Sequence, residues 1–240
     1  MNIADWPNGM KFIQSDSQFK LTTDSVLLAH FAANFRARKI CEPCCGIGGI
    51  AILLAGRLSQ SEITCIELQD EAVRLAKENV NINGFSSRIN VIHGDLRNYY
   101  LLPADTYDLV VCNPPYFSVG TGKPSNFNSI QTARSDENCT IEDVCIMSSR
   151  ILKTGGRLCI VWRAERLVDL LLSMRNNKLE PKRLRRVLDK TGQIPRIVLV
   201  EARKGAGISL KHEPDLIMRN DDGTYTKELL QIYGKGICDG

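Results

Sequence analysis

The chain has 240 residues, of which 43% are hydrophobic and 24% are charged, a composition that excludes a disordered or fibrous protein. A formal net charge of +4 is only mildly basic, so the total charge does not select a class of partner. No signal-peptide pattern opens the chain, and its apolar runs fall far short of the roughly 20 residues of a membrane-spanning helix. We therefore expect one cytoplasmic domain spanning residues 1–240.

The nine cysteines are an odd number, which is typical of a reduced compartment. Cys41, Cys44 and Cys45 lie close together, but no second Cys pair or His pair stands at zinc-ligand spacing. The alternative to a metal site is a set of small buried apolar side chains. We expect that alternative and no bound metal.

An N-terminal cap is predicted over residues 1–35, with a short β-rich part in residues 1–20. Thr22–Ser25 then precede the apolar run Val26–Ala32, and such a cluster is a helix-start signal. Its hydroxyls, including that of Thr23, could face a ligand as well, although helix capping alone would explain the cluster.

Lys39–Glu42 is predicted to be a strand that leads into the glycine-bearing turn Pro43–Gly49, and Ile50–Ala55 is predicted to be a helix. This arrangement lets a backbone approach a nucleotide-like ligand closely. Cys44 stands where the first glycine of a dinucleotide fingerprint would be, so that fingerprint is absent.

Glu62–Glu67 is predicted to be a second strand, followed by a helix over Glu71–Val80. Its last residue lies twenty-one positions after Gly46, about the separation at which an acid reaches ribose hydroxyls. The alternative is that Glu67 caps the helix that begins near Asp70.

Arg88–His93 is predicted to be a third strand, and Asp95 follows it at the same end as Glu42 and Glu67. An aspartate there can accept a hydrogen bond from an adenine amino group. The alternative is an exposed turn residue.

The fourth predicted strand, Asp108–Cys112, runs into Asn113-Pro114-Pro115-Tyr116. Two prolines cannot continue a sheet ladder, so the chain leaves the sheet at Asn113. An amide oxygen and a neighbouring carbonyl can then accept from one exocyclic amino group, and Tyr116 offers a face for stacking. This segment predicts a pocket for a planar amine at the carboxyl-terminal edge of a parallel sheet.

A lid over the pocket is predicted for residues 117–139, because a long polar connection is functional or disordered. We expect it to grip the substrate through Phe117, Lys123, Phe127 and Arg134. The predicted elements after it are a helix over Ile141–Leu152 that ends at Gly155-Gly156, a strand over Arg157–Trp162 and a helix over Ala164–Met174.

Two late strands, Glu180–Leu188 and Arg196–Ala202, are predicted to form an antiparallel pair within residues 180–203. A hairpin over 220–225 and a short helix over Leu229–Tyr233 follow. Arginine suits phosphate contact, although a solvated strand face is the alternative. The densest basic group is Lys182, Arg183, Arg185 and Arg186.

Strands that alternate with helices in this order predict a doubly wound α/β fold, mostly parallel, with an antiparallel edge. The glycine-bearing turn has no phosphate-binding lysine, and two strand-end acids are available. These features favour an uncharged nucleoside over a nucleoside triphosphate as the ligand of the predicted site.

The chain resembles Class I S-adenosylmethionine-dependent methyltransferases with an Asn-Pro-Pro-Tyr motif. Phe19–Ala29, Ile66–Ala72, Val111–Phe117 and Ala133-Arg134 are more narrowly similar to the bacterial family that methylates N6 of the anticodon-adjacent adenine in a valine tRNA. The resemblance implies a seven-stranded Rossmann-like methyltransferase sheet with an antiparallel C-terminal edge hairpin. It also implies S-adenosylmethionine as cofactor and tRNA as partner.

Three sets of site residues follow from this resemblance. The catalytic residues would be Asn113, Pro114, Pro115 and Tyr116. The cofactor-binding residues would be Thr23, Glu42, Cys44, Gly46, Gly48, Glu67, Leu68, Asp95, Leu96 and Asn113. The substrate-binding residues would be Phe117, Arg134, Lys182, Arg183, Arg185 and Arg186.

Other functions stay open at this point, because related motifs also occur in enzymes with other substrates. The alternatives are a protein glutamine N5-methyltransferase, an rRNA guanine N2-methyltransferase and an RNA-binding factor without turnover.

Overall fold

The computed structural model describes residues 2–6, 9–14, 20–115 and 139–234. The helices are α1 (Thr23–Ala32), α2 (Gly49–Arg57), α3 (Asp70–Ile82), α4 (Ile141–Ile151), α5 (Leu167–Asn176) and α6 (Lys227–Ile232). The strands are β1 (Asn2–Asp5), β2 (Lys11–Gln14), β3 (Lys39–Pro43), β4 (Glu62–Glu67), β5 (Ile89–His93), β6 (Tyr107–Cys112), β7 (Leu152–Arg163), β8 (Leu179–Leu188), β9 (Ile197–Lys204), β10 (Lys211–His212) and β11 (Leu216–Ile217).

One large sheet organises the fold, with the strand order β10-β8-β9-β7-β6-β3-β4-β5 and with β11 also paired to β8. β3 to β7 run parallel, whereas β9 runs antiparallel to both β7 and β8. The doubly wound, mostly parallel sheet with an antiparallel edge is therefore confirmed. We call the edge at which β3 to β7 end the carboxyl-terminal edge.

Helices cover both faces of this sheet, which explains why its central strands are continuously apolar. In β6, Leu109 and Val111 belong to a core cluster with residues of α1, α2 and α3. The alternate residues Val110 and Cys112 belong to a second cluster with residues of α4 and α5. Because successive side chains of a strand point to opposite faces, those of β6 pack alternately into the two clusters.

Two sequence predictions about the second half of the chain are wrong in detail. The strand predicted at Arg157 begins at Leu152, so the two glycines lie inside β7 and do not end α4. Gly155 has a φ of +81°, and the pairing of β6 with β7 shifts register next to this point. The short strands β10 and β11 were not predicted, because each has only two residues.

The first residues form an antiparallel hairpin of β1 and β2, as expected for a β-rich cap. None of the helices in the described residues is long and apolar enough to cross a membrane.

Candidate functional site

Two adjoining cavities lie at the carboxyl-terminal edge and share Cys44, Gly46 and Asn113. The strand-end cavity, of about 320 Å³, lies between the ends of β3, β4, β5 and β6. The helix-start cavity, of about 150 Å³, lies between the end of β3 and the start of α1. The other predicted cofactor residues that line them are Glu67, Leu68, Asp95 and Leu96 in the strand-end cavity and Glu42 in the helix-start cavity.

Asn113 is the residue at which β6 leaves the sheet, and its side chain is half-buried. Its Nδ2 donates a hydrogen bond to Ser25 Oγ at 2.9 Å. No described residue donates to its Oδ1, so that oxygen keeps its capacity to accept. Pro114 is buried, whereas Pro115 is exposed and lines the strand-end cavity. The geometry thus provides an oriented amide with a spare acceptor between the two cavities.

Ser25 belongs to the cluster whose hydroxyls the sequence predicts either to cap a helix or to face a ligand. Thr22 is the N-cap of α1, and its Oγ1 accepts a hydrogen bond from Ser25 N–H at 3.3 Å. The two hydroxyl oxygens lie 3.1 Å apart, and both residues line the helix-start cavity. The start of α1 therefore holds the hydroxyl that orients Asn113.

Thr23, a predicted cofactor-binding residue, lies apart from these two cavities, and its role stays a prediction. Its Oγ1 accepts a hydrogen bond from the hydroxyl of Tyr233 at 3.0 Å, and it lines a different cavity. The first turn of a helix points consecutive side chains in different directions, so Thr22 and Ser25 face one cavity while Thr23 faces another.

The turn after β3 has positive φ angles at three of the predicted residues: Cys44 (56°), Gly46 (53°) and Gly48 (76°). A Cβ added to Gly46 would meet nothing within 4 Å, so this turn borders open space. Gly48 lines neither cavity, and a Cβ added there would lie 3.5 Å from Ala76 Cβ of α3. Gly48 thus packs the turn against α3, and its role in cofactor binding stays a prediction.

Glu67 ties the end of β4 to this turn. Its Oε2 accepts from Gly46 N–H at 2.8 Å, and its Oε1 accepts from the N–H groups of Leu68 and Gln69 at 2.9 and 3.0 Å. A carboxylate oxygen has two acceptor positions, so one position remains on Oε2. Glu67 is only 7% exposed and lines the strand-end cavity. It can accept one further hydrogen bond while the turn keeps this geometry.

Asp95 is paired with Arg97. Its Oδ1 accepts from the backbone N–H of Arg97 at 2.9 Å and from its Nε at 3.0 Å. This hydrogen-bonded pairing holds the pKa of Asp95 below its usual value. Both residues line the strand-end cavity, so a charged acceptor is present on its wall.

Glu42 is the buried acid beneath the helix-start cavity, with 2% exposure. Its Oε2 accepts from Ala51 N–H at 2.7 Å, at the start of α2. Burial raises its pKa to about 8, and this effect outweighs the hydrogen bond from Ala51, which lowers the pKa. Glu42 is therefore mostly protonated at neutral pH when the cavity holds no cation.

The thiols beside the strand-end cavity are protonated structural groups. A hydrogen bond with Cys112 and burial raise the pKa of Cys44, and a hydrogen bond with Cys44 raises that of Cys139. Thiols that stay protonated are poor nucleophiles and poor metal ligands. In residues 2–6, 9–14, 20–115 and 139–234, no three His, Cys, Asp or Glu side chains are grouped to hold a metal ion.

The predicted basic group on β8 makes ion pairs and hydrogen bonds within the fold, and its contact with phosphate stays a prediction. Arg183 is 16% exposed and approaches the buried Glu201, with its Nε 2.6 Å from Oε2 but without hydrogen-bond angles. Arg185 pairs with Glu228 at 2.6 Å, and Arg186 forms two hydrogen bonds with Asp215. These arginines hold the C-terminal segments on the sheet.

Lys182 is the fourth member of that group and lies toward the edge of the sheet opposite to that of Asn113. It lines a depression together with Gly155 near the start of β7, and its Nζ donates to Ser209 Oγ. Sequence composition could not separate these paired cations from substrate-facing ones, because their partners lie 18 to 43 residues away along the chain.

Part of the predicted site lies outside the described residues. These positions are Tyr116, Phe117 and Arg134, with Lys123 and Phe127 of the predicted lid. Cys139, at the end of that segment, is described and lines the strand-end cavity.

Comparisons with known proteins agree with this geometry. The family model described as the methyltransferase small domain matches residues 16–180. The chain is 30% identical over 223 residues to the tRNA1(Val) (adenine(37)-N6)-methyltransferase of Tolumonas auensis, which covers 91% of this chain and 90% of that protein. It is 29% identical over 229 residues to the protein of the same name from Porphyromonas gingivalis, with 91% and 89% covered.

A solved structure of a predicted O-methyltransferase from Agrobacterium tumefaciens superposes with a TM-score of 0.72 at 23% identity, covering 89% of this chain and 96% of that one. TrmN from Thermus thermophilus superposes with a TM-score of 0.54 at 20% identity, covering 74% of this chain and 48% of that one. These two likenesses support the fold alone. The family match and the Tolumonas relative show more: this chain belongs to the methyltransferase small domain family, in the group of the tRNA1(Val) (adenine(37)-N6)-methyltransferases.

Proposed function

We propose that this protein transfers a methyl group from S-adenosylmethionine to the exocyclic N6 of an adenine in tRNA, the anticodon-adjacent adenine of a valine tRNA. The observation that carries the proposal is Asn113, whose Nδ2 is held by Ser25 while its Oδ1 accepts no hydrogen bond from a described residue. The names of the relatives support the choice of substrate. Because its proposed substrate is a tRNA, we also propose that the protein acts in the cytoplasm.

The residues around the two cavities fit this cofactor. The open space at Gly46 would admit its methionine part beside Glu42, and the free acceptor position of Glu67 suits a ribose hydroxyl. Asp95 would accept from the adenine amino group, with Leu68 and Leu96 as apolar walls. When bound, S-adenosylmethionine supplies an electrophilic methyl group on a sulfonium.

Asn113 would perform the main catalytic task of the protein, which is to orient the nucleophile. Its Oδ1 and the carbonyl of Pro114 would accept the two hydrogens of the target amino group, which directs the nitrogen lone pair toward the methyl group. The amino nitrogen becomes acidic only as the new N–C bond forms, so no strong base is required before attack. Its proton would then leave to water. Tyr116 and Phe117 are proposed to stack on the target base.

The test is a mass-spectrometric survey of nucleosides after incubation of the protein with total tRNA and labelled S-adenosylmethionine. The expected product is labelled N6-methyladenosine in tRNA. Label in protein glutamine, or in guanine of rRNA, would replace this proposal with one of the alternative functions. Binding of cofactor and RNA without a methylated product would indicate an RNA-binding factor.

A further inference from the structure

A third cavity, of about 440 Å³, lies beside the proposed active site and has no role in the mechanism above. We call it the side cavity, and its walls come from the start of α1, the end of β8, the start of β9, and α6. The turn that the antiparallel bridge between Arg219 and Tyr225 closes, which we call the tail hairpin, completes the wall. A wider depression of about 590 Å³ adjoins it, and the two share Asp24, Arg196 and Ile197. Together they form one continuous groove.

The side cavity is close to Asn113 along the carboxyl-terminal edge. Cys112 pairs with Ile160, so Asn113 lies beside the end of β7, where Arg163 pairs with Ile197 of β9. Adjacent strands lie about 5 Å apart, which places the start of β9 roughly 10 Å from Asn113 across the sheet. A nucleic-acid strand with its target base at Asn113 therefore passes over this groove if it runs toward β9.

The lining of the side cavity suits a nucleobase. The ring of Tyr225 is 49% exposed and has the guanidinium carbon of Arg219 5.0 Å from its centroid. Base stacking on an aromatic face is the main sequence-tolerant contact between proteins and single-stranded nucleic acids. Leu229 adds an apolar surface to the wall of the same cavity.

The charges in the side cavity favour, as its ligand, a nucleobase with a flanking phosphate over a simple anion. Asp189 lies 3.3 Å from Nε of Arg219 and offsets that charge, and Asp24 also lines the wall. A carboxylate repels a phosphate but can accept from the amino edge of a base. Arg196 is exposed, and its side chain has no ion pair or hydrogen bond with any described residue. It is thus the cation available to a phosphate.

We propose that the side cavity binds a nucleotide of the substrate RNA that neighbours the methylated adenine. Its base stacks on Tyr225 and its phosphate pairs with Arg196. This assignment rests on the proposed function, because it requires an RNA strand that begins at Asn113. It makes the side cavity a determinant of RNA affinity, separate from the methyl-transfer step.

The test is steady-state kinetics with a valine tRNA transcript and the variants Tyr225→Ala, Tyr225→Phe and Arg196→Ala. The expected KM for tRNA rises about 5- to 150-fold in Tyr225→Ala, the range for loss of one stacked base, and stays near wild type in Tyr225→Phe. Arg196→Ala is expected to lower the salt dependence of RNA binding by about 0.7 in the log–log slope. The affinity for S-adenosylhomocysteine should stay unchanged in all three.

Tyr100 supplies a matched control, because it is also exposed and has the guanidinium carbon of Arg150 4.9 Å from its ring centroid. It precedes β6, and Arg150 lies in the last turn of α4, so the pair lies away from the carboxyl-terminal edge. Tyr100→Ala should leave the KM for tRNA unchanged. Equal KM values for Tyr225→Ala and Tyr100→Ala, with active wild-type protein, would overturn the side-cavity assignment alone. Absence of methylated tRNA with the wild-type protein would overturn the proposed function, and this assignment with it.

Discussion

Removal of the Ser25 hydroxyl tests whether the orientation of Asn113 matters for catalysis. In Ser25→Ala, the Asn113 amide loses the 2.9 Å hydrogen bond that distinguishes its two ends, so it can rotate and present Nδ2 to the target amine. A neutral hydrogen bond contributes about 0.5–1.5 kcal/mol, which corresponds to roughly a 2- to 10-fold fall in kcat. Asn113→Ala removes the acceptor itself, and a loss of about 100- to 1000-fold is expected by analogy with other stabilising groups.

The assay is methyl transfer to tRNA at saturating cofactor and RNA, with S-adenosylhomocysteine affinity measured by calorimetry to detect any effect on the cavity. Ser25→Thr retains the hydroxyl and should restore most of the rate. Ser61→Ala is the matched control, because it also removes one serine hydrogen bond, to Ala37, on the opposite edge of the sheet. Equal kcat values for the Ser25→Ala and Ser61→Ala variants would refute the orienting role.

Three further predictions concern the acids of the fold. Glu42 has its pKa raised to about 8, so the folded state binds the extra proton and stability is lost as pH rises from about 4.5 through 8. Urea unfolding at pH 5 and pH 8 should show a loss of about 3–4 kcal/mol that Glu42→Gln lacks, and parallel pH profiles would contradict this. Asp95→Asn should weaken S-adenosylhomocysteine binding about 10-fold or more in calorimetry, whereas Asp108→Asn, at the opposite edge, should not. Glu201→Gln should destabilise the fold by about 3–5 kcal/mol in urea unfolding, against less than about 1 kcal/mol for Glu78→Gln in an exposed pair; equal losses would show that the buried pair is not structural.

The central sheet could be predicted because the sequence patterns that indicate its strands are local. The buried strand over Asp108–Cys112 and the prolines after it determine where the chain leaves the sheet, whatever the rest of the chain does. The acids at the ends of β4 and β5 were found for the same reason, since parallel strands end at one edge. Glu67 and Asp95 accordingly line one cavity with Asn113.

The remaining parts of the site depend on contacts between distant residues. The bond from Asn113 to Ser25 joins positions 88 residues apart, and no local pattern encodes it. The same holds for Arg183, which composition assigned to phosphate and which the fold places against Glu201. The side cavity also escaped prediction, because α1 and the tail hairpin meet only in three dimensions.

The Asn113 amide, as the acceptor for the target amine, is central to the proposed mechanism. The decisive measurement is the single-turnover rate of N6-methyladenosine formation in valine tRNA by Asn113→Ala and wild-type protein, with the affinity for S-adenosylhomocysteine measured in parallel. The proposed mechanism predicts a rate at least about 100-fold lower, with the affinity for S-adenosylhomocysteine changed by less than about 10-fold. A variant that keeps the wild-type rate would contradict the proposed mechanism.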